Sequence, residues 1–358
     1  MFQKTKEEWL DAGDAFYGSE RYEEALAAYE QALRFDPNNA SFHHSRGSAL
    51  YALDRYQEAL AAFEQAVRLD PTKALYHSAR GDALYELERY EEALASYEQT
   101  IRLDPAFVHA YNGQGNVFYD LGRYQEALAA YDQAIYFNPA FVHAHNGRGN
   151  TLYDLGRYQE ALTAYDQALH LDPTYAYAHN GRGNVLYDLG RHQEALAAYE
   201  EALRLDPNYA YAHNGRGNAL YDLGRPQEAL AAYEEALRLD PTYASAHNGQ
   251  GNILYDLGRF KEALASYEQA IRLDPTYTSA YNGQGNVLYE LRRYRGALAA
   301  YEQALNLDPT YACAYNGQGN VLYDLRRYRE ALVAYEQAIR LDPTETLYQT
   351  NRAKVVRR

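Results

Sequence analysis

Two asparagines four residues apart recur seven times along this chain at a fixed interval. The pairs are Asn112 and Asn116, Asn146 and Asn150, Asn180 and Asn184, Asn214 and Asn218, Asn248 and Asn252, Asn282 and Asn286, and Asn316 and Asn320. A carboxamide carries both a donor and an acceptor, the complement of a peptide bond. Three residues beyond the second asparagine stands a tyrosine, as in Tyr119, Tyr153, Tyr187, Tyr221 and Tyr255, and an acid follows it, as in Asp154, Asp188 and Asp222. Tyrosine adds flat amphipathic contact area. A row of acids favours lysine or arginine in whatever lies against it. These residue types at this spacing point to non-covalent recognition of an extended chain. The same asparagines would also serve bonds to one another or to helix termini.

Residues for catalysis or metal binding do not assemble in the same way. His145, His179, His213 and His247 lie 34 residues apart. That is too far for a shared zinc, whose ligands stand about 2 Å from the metal, and they are read as packing residues. Cys313 is the only cysteine. It permits no disulfide framework and no cysteine metal site, and a nucleophile would need a base beside it. The acids lack calcium-loop spacing, and no glycine-rich phosphate loop is present. The expectation is a protein that is not an enzyme, with no cofactor and no metal.

The interval itself explains the pattern. Ten copies of a 34-residue unit occupy residues 6–39, 40–73, 74–107, 108–141, 142–175, 176–209, 210–243, 244–277, 278–311 and 312–345. With proline at position 32 (Pro37 through Pro343), glycine fills position 8 (Gly13 through Gly319) and alanine position 20 (Ala25 through Ala331). A fixed period of this length means a stacked array rather than a globule around one centre. Within repeat 5, His145, Gly149, Leu152 and Leu155 fall at helical spacing. So do Ala161, Leu162, Tyr165, Ala168 and Leu169, which predicts two amphipathic helices per repeat. Gly156 is placed to close the first in a left-handed conformation. Pro173 forces Asp172 out of the second. Gly149 and Ala161 are expected to face each other where the helices cross. Gly at position 6 (Gly113 through Gly317) is read as leaving open space between the asparagines. Residues 346–358 read as a capping helix, with Ala353 in the glycine place.

Net charge is −15 and pI about 5.2, which argues against non-specific nucleic-acid binding and favours a partner with basic character. The opening residues MFQKTKEEWLDAGD hold no apolar run, so no secretory signal is expected. No segment reads as spanning a membrane. With one cysteine, a reducing cytoplasmic location is the default.

The repeat resembles that of the tetratricopeptide family: an aromatic at position 4, Gly 8, Ala 20, an aromatic at 24, Ala 27 and Pro 32. Repeat 1 matches with Trp9, Gly13, Phe16, Ala25, Tyr29, Ala32 and Pro37, and the resemblance covers residues 6–345. It departs in being polar at position 7 (Arg46, Arg80, Arg148, Arg182 and Arg216, or Gln114, Gln250, Gln284 and Gln318) and in having leucine at position 11 of most repeats. The resemblance implies an all-α solenoid, a right-handed superhelix of ten antiparallel helix pairs with a C-terminal cap. It implies a single domain of repeats whose first helices line a concave groove. Position 2 varies there: His109, His143, Tyr177, Tyr211, Ser245, Ser279, Cys313. The function implied is a protein-interaction scaffold holding an extended peptide in that groove. The alternative is a regulatory or oligomerising arm of a larger assembly without a dedicated peptide. Arg at position 16 (Arg21 through Arg327) is read as complementing the dipole of the first helix. Arg292, Arg293, Arg295, Arg326, Arg327, Arg329, Arg357 and Arg358 make the last repeats locally basic.

Overall fold

The computed structural model describes residues 5–357, and among them every regular element is an α-helix, twenty-one in all. Residues 1–4 and Arg358, at the ends of the expected array and cap, lie outside this range. Each repeat is one antiparallel pair. In repeat 5 the helices are Val142–Asp154 and Tyr158–Leu171. The cap is a single helix, Thr346–Val356. The chain divides into two compact units, the first ending at Pro173 and the second beginning at Thr174.

Local chemistry sets the boundaries. Position 15 is left-handed throughout, with φ +70° at Gly156 and +55° and +60° at Arg292 and Arg326. Only glycine enters that region without a Cβ penalty. Asp172 is extended, at φ −138° and ψ 95°, as a residue before proline must be. Helices of this length are marginal alone, so each depends on the stripe it buries.

At the centre of every pair is the residue at position 24. A Cβ built on Gly149 would stand 2.7 Å from the Tyr165 ring. The group nearest the position 8 glycine is therefore the aromatic of the same repeat, and Ala161 is fully buried on the helix that carries it. Position 6 is corrected. A Cβ on Gly147 would stand 2.5 Å from the Tyr131 ring of the preceding repeat, and one on Gly115 would stand 2.5 Å from the same ring. The two glycines thus form a slot, and the tyrosine fills what was read as open space. Tyr131, Tyr165, Tyr199, Tyr233, Tyr267, Tyr301 and Tyr335 are almost wholly buried. Each contributes about 1.5–3 kcal/mol by burial.

Polar side chains tie neighbouring repeats together. In three repeats the arginine at position 7 reaches back to the acid at position 25 of the repeat before: Arg148 Nε to Asp132 at 2.9 Å, Arg46 to Glu30 at 3.5 Å, Arg216 to Glu200 at 4.0 Å; Arg80 donates instead to Ser96 of its own repeat at 3.0 Å. Arg352 does the same from the cap, 3.1 Å from Glu336. Arginine at position 16 serves the following helix. It is the residue before its first turn, and Arg157 grips Glu160 through two bonds of 2.8 and 2.7 Å. The histidines at position 4 tether the loop: His145 Nε2 lies 2.9 Å from the Pro139 carbonyl and His213 Nε2 3.0 Å from that of Pro207.

Candidate peptide-binding face

The slot tyrosine ends at the asparagine of position 9. Its hydroxyl donates to Oδ1 of Asn116, Asn286 and Asn320 at 2.8 Å and of Asn150 and Asn218 at 2.7 Å. Asn184 and Asn252 accept in the same way at 2.8 and 2.7 Å. Repeats 1 and 3 fix the direction of this bond. There the acceptors are Asp14 and Asp82, each 2.8 Å from Tyr29 and Tyr97, and a carboxylate only accepts. With Oδ1 engaged, each half-buried carboxamide is held in one orientation, and its NH2 takes no part in that bond. The tyrosine takes one of the two acceptor sites on Oδ1 and leaves both N–H donors of the rung.

Position 5 is different. Asn180, Asn214, Asn248 and Asn316 are under a tenth exposed, and Asn112, Asn146 and Asn282 are only partly exposed. The Oδ1 atoms of Asn112, Asn146, Asn180, Asn214, Asn248 and Asn282 are buried without a hydrogen-bond partner. At the cap, where Asn351 replaces the position 6 glycine, its Nδ2 donates to Asn316 Oδ1 at 3.0 Å. This row lies behind the surface, unlike the row at position 9.

Positions 12 and 13 bond to each other across repeats. Tyr85 donates to Asp120 and Tyr187 to Asp222 at 2.6 Å, Tyr221 to Asp256 at 2.7 Å, Tyr119 to Asp154 at 2.5 Å and Tyr255 to Glu290 at 3.5 Å. The acids are exposed, as is Asp188 beside them, and Tyr153 is half-buried like its equivalents. The tyrosine hydroxyls are pushed up above their usual range by burial and by the carboxylate they contact. They remain neutral donors at any physiological pH.

Aromatic residues at position 34 escaped the sequence reading, although their recurrence was visible in it. They interleave with position 2. In the first unit Phe107, His109, Phe141 and His143 follow one another at centroid distances of 6.3, 4.9 and 5.4 Å. In the second unit Tyr175, Tyr177, Tyr209, Tyr211 and Tyr243 do so at 5.4, 5.1, 6.0 and 4.9 Å. Tyr177 and Tyr211 are 53 % and 55 % exposed. These rails stand beside the asparagine rows on the first helices.

The family profile of the tetratricopeptide repeat matches residues 78–140, 146–210, 214–278 and 282–346, and a TPR repeat profile matches 13–54 and 47–87. The chain belongs to the tetratricopeptide repeat family. Tetratricopeptide repeat proteins are protein–protein interaction scaffolds, and this chain is one by membership. Its fold is similar to that of the APC/C hetero-tetramer Cut9–Hcn1 in the crystal, with a TM-score of 0.65 and 13% identity over 98% of this chain and 90% of that one. YrrB, described as a TPR protein with an unusual peptide-binding site, is 27% identical over 52% of this chain and 96% of its own, with a TM-score of 0.41. No curated protein sequence matches the chain significantly. No helix among the described residues is long and apolar enough to cross a membrane.

Proposed function

We propose that this tetratricopeptide scaffold binds an extended segment of a protein partner along its first helices, with the position 9 carboxamides as the main polar contacts. The orientation imposed on Asn184, Asn218, Asn252, Asn286 and Asn320 by the slot tyrosines carries the reading. A pre-aimed amide donor loses little freedom on binding. Packed helices stand about 8–10 Å apart and an extended peptide advances about 3.3 Å per residue. One amide would then meet a carbonyl every third residue. Tyr177 and Tyr211 supply exposed aromatic contact, and Asp154, Asp188 and Asp222 draw basic side chains rather than nucleic acid.

Display of a random extended-peptide library on the full chain, followed by titration calorimetry of a selected peptide, tests this. Replacing Asn184, Asn218 and Asn252 by alanine together should weaken binding at least tenfold. Replacing Asn180, Asn214 and Asn248 should change it far less, unless folding is lost. Unchanged affinity in the first triple variant removes the amide row from the mechanism.

A further inference from the structure

The first-helix face is not uniform, and its irregular part is hollow. A cavity of about 440 Å³ opens among repeats 1–4. It lies where the regular residues are missing. Ser48 stands at position 9 of repeat 2 and Ser78 at position 5 of repeat 3, both places that hold asparagine in repeats 4–10. Each exchange removes two non-hydrogen atoms from the wall. Repeat 2 also has Phe63 in the slot, so no hydroxyl crosses toward Ser48, whose own hydroxyl bonds back to the His44 carbonyl at 3.2 Å.

Rings and carboxylates line the hollow. Tyr51, Tyr85 and Phe107 present aromatic faces or edges, and Asp82 and Glu86 bring negative charge. Neither carboxylate has a cationic partner: Asp82 Oδ1 accepts from Tyr97 at 2.8 Å and Glu86 Oε1 from Tyr51 at 3.0 Å. Among the described residues no lysine or arginine lines the cavity. The two ring bases on its walls do not supply the charge either. Burial pushes His44 down, and burial and the neighbouring His143 push His109 down, so both are neutral at pH 7. Asn112 adds an Oδ1 with no partner. Asp82 answers to this setting: burial, with Glu86 adding to it and the Tyr97 bond opposing it, raises its carboxyl to about 6. A carboxylate held short of a counter-charge in a cavity marks a place prepared for one.

We propose that this cavity takes a cationic side chain of the partner, an arginine in preference, with its guanidinium against the Asp82 and Glu86 carboxylates and its plane against the tyrosine rings. A planar, weakly hydrated cation suits both features, since it forks onto carboxylates and stacks on aromatic faces. The proposal adds a specificity site to the partner-binding face without needing the asparagines of repeats 5–10.

The probe is Nα-acetyl-arginine amide, titrated into the full chain and followed by NMR, beside the neutral isostere Nα-acetyl-citrulline amide. At pH 7.5 the arginine compound should bind saturably in the millimolar range and the citrulline compound at least tenfold more weakly. Asp82→Asn should weaken arginine binding about tenfold. Its fold is protected, because repeats 4–10 carry asparagine at this place with the same tyrosine contact. Ser48→Asn, which narrows the cavity and leaves the charges, should weaken it too. Between pH 7.5 and 5 wild-type affinity should fall about tenfold as Asp82 takes up its proton. Equal binding of the neutral compound, or an Asp82→Asn variant that binds arginine as well as wild type, overturns the proposal. The probe occupies only this cavity among repeats 1–4, so its failure leaves Asn184, Asn218 and Asn252 to the peptide-library experiment.

Discussion

Repeats 1–3 and repeats 4–10 share a backbone plan but not an interior chemistry. In repeats 4 and 6–9 the slot tyrosine lies between glycines, and in repeats 4–10 it ends on a neutral carboxamide. In repeats 1 and 3 it ends on a carboxylate, Asp14 or Asp82, and in repeat 2 a phenylalanine faces a serine. Position 6 carries Ser45 and Ala79 in repeats 2 and 3, where repeats 4–10 have only glycine. The same place in the fold thus holds either a row of neutral carboxamides or a hollow with negative charge that lacks a cationic partner. Repetition supplies the frame, and departures from it supply local specificity.

The largest expected effect breaks the regular region by giving it a feature of the irregular one. Gly249→Ala places a Cβ 2.5 Å from the Tyr233 ring. A Cβ on Gly217 would also stand 2.8 Å from that ring, and the ring is only 2 % exposed, so it has little room to move. Overpacking of this kind costs about 1–3 kcal/mol. Ala79→Gly, the reverse exchange in repeat 3, should cost only about 1 kcal/mol of helix propensity. Urea unfolding followed by circular dichroism compares them, and equal losses would mean that the slot is not what separates the two regions.

The second effect runs the other way. Asp82→Asn gives repeat 3 the residue of the regular repeats. The Asp82 carboxyl is raised to about 6 in the fold, above its ordinary value near 4. A raised carboxyl favours the folded state at low pH, and that contribution is lost as pH rises through about 6. The variant should therefore be more stable than wild type at pH 7.5. With allowance for partial solvent screening the gain is about 1–2 kcal/mol, and it should vanish near pH 4. A pH-independent difference would show that Asp82 is not the strained group.

The period, the helix pairs, the left-handed residue at position 15 and the extended residue before proline were legible in the sequence, because each depends on a residue and its immediate neighbours. The slot was not. Gly147 and Tyr131 lie sixteen residues apart on different repeats, and only packing shows that one ring occupies two glycine gaps. The candidate site was half legible for the same reason. Both asparagine rows could be read off the spacing, but burial separates position 5 from position 9. The hydroxyl that orients Asn150 comes from Tyr165, on the other helix of the pair. The acid that meets Arg148 comes from the repeat before it. Contacts between repeats are invisible to a reading that treats each copy alone.

Position 15 sharpens the comparison further, because the last two repeats depart from the regular ones just as the first three do. Repeats 4–8 have glycine there, while Glu20, Asp54, Glu88, Arg292 and Arg326 are left-handed with a side chain. Arg326→Gly should raise stability by about 1 kcal/mol, somewhat offset by the freer unfolded chain. Gly190→Ala should lower it by a similar amount, although nothing lies within 4 Å of the Cβ it adds. If Gly190→Ala proved neutral in thermal unfolding, backbone conformation would not be the reason for glycine at this place.

The smallest effect concerns the bonds between repeats. Tyr187→Phe removes the 2.6 Å bond to Asp222 and leaves the ring. Both partners are open to water, so the loss should be about 0.5–1 kcal/mol. In a stacked array such a loss acts on one interface between neighbours rather than on the whole. Amide hydrogen exchange should therefore quicken in the two repeats that meet there, residues 176–243, and little beyond them. Tyr51→Phe, which removes the 3.0 Å bond to Glu86 in the irregular region, leaves that carboxylate in the cavity without its neutral donor. It should loosen residues 40–107 and also tighten arginine binding, since the freed oxygen can then accept from the guanidinium. Equal loosening in the two variants, with no change in arginine affinity, would reduce both tyrosines to interface bonds and detach Glu86 from the cavity's charge.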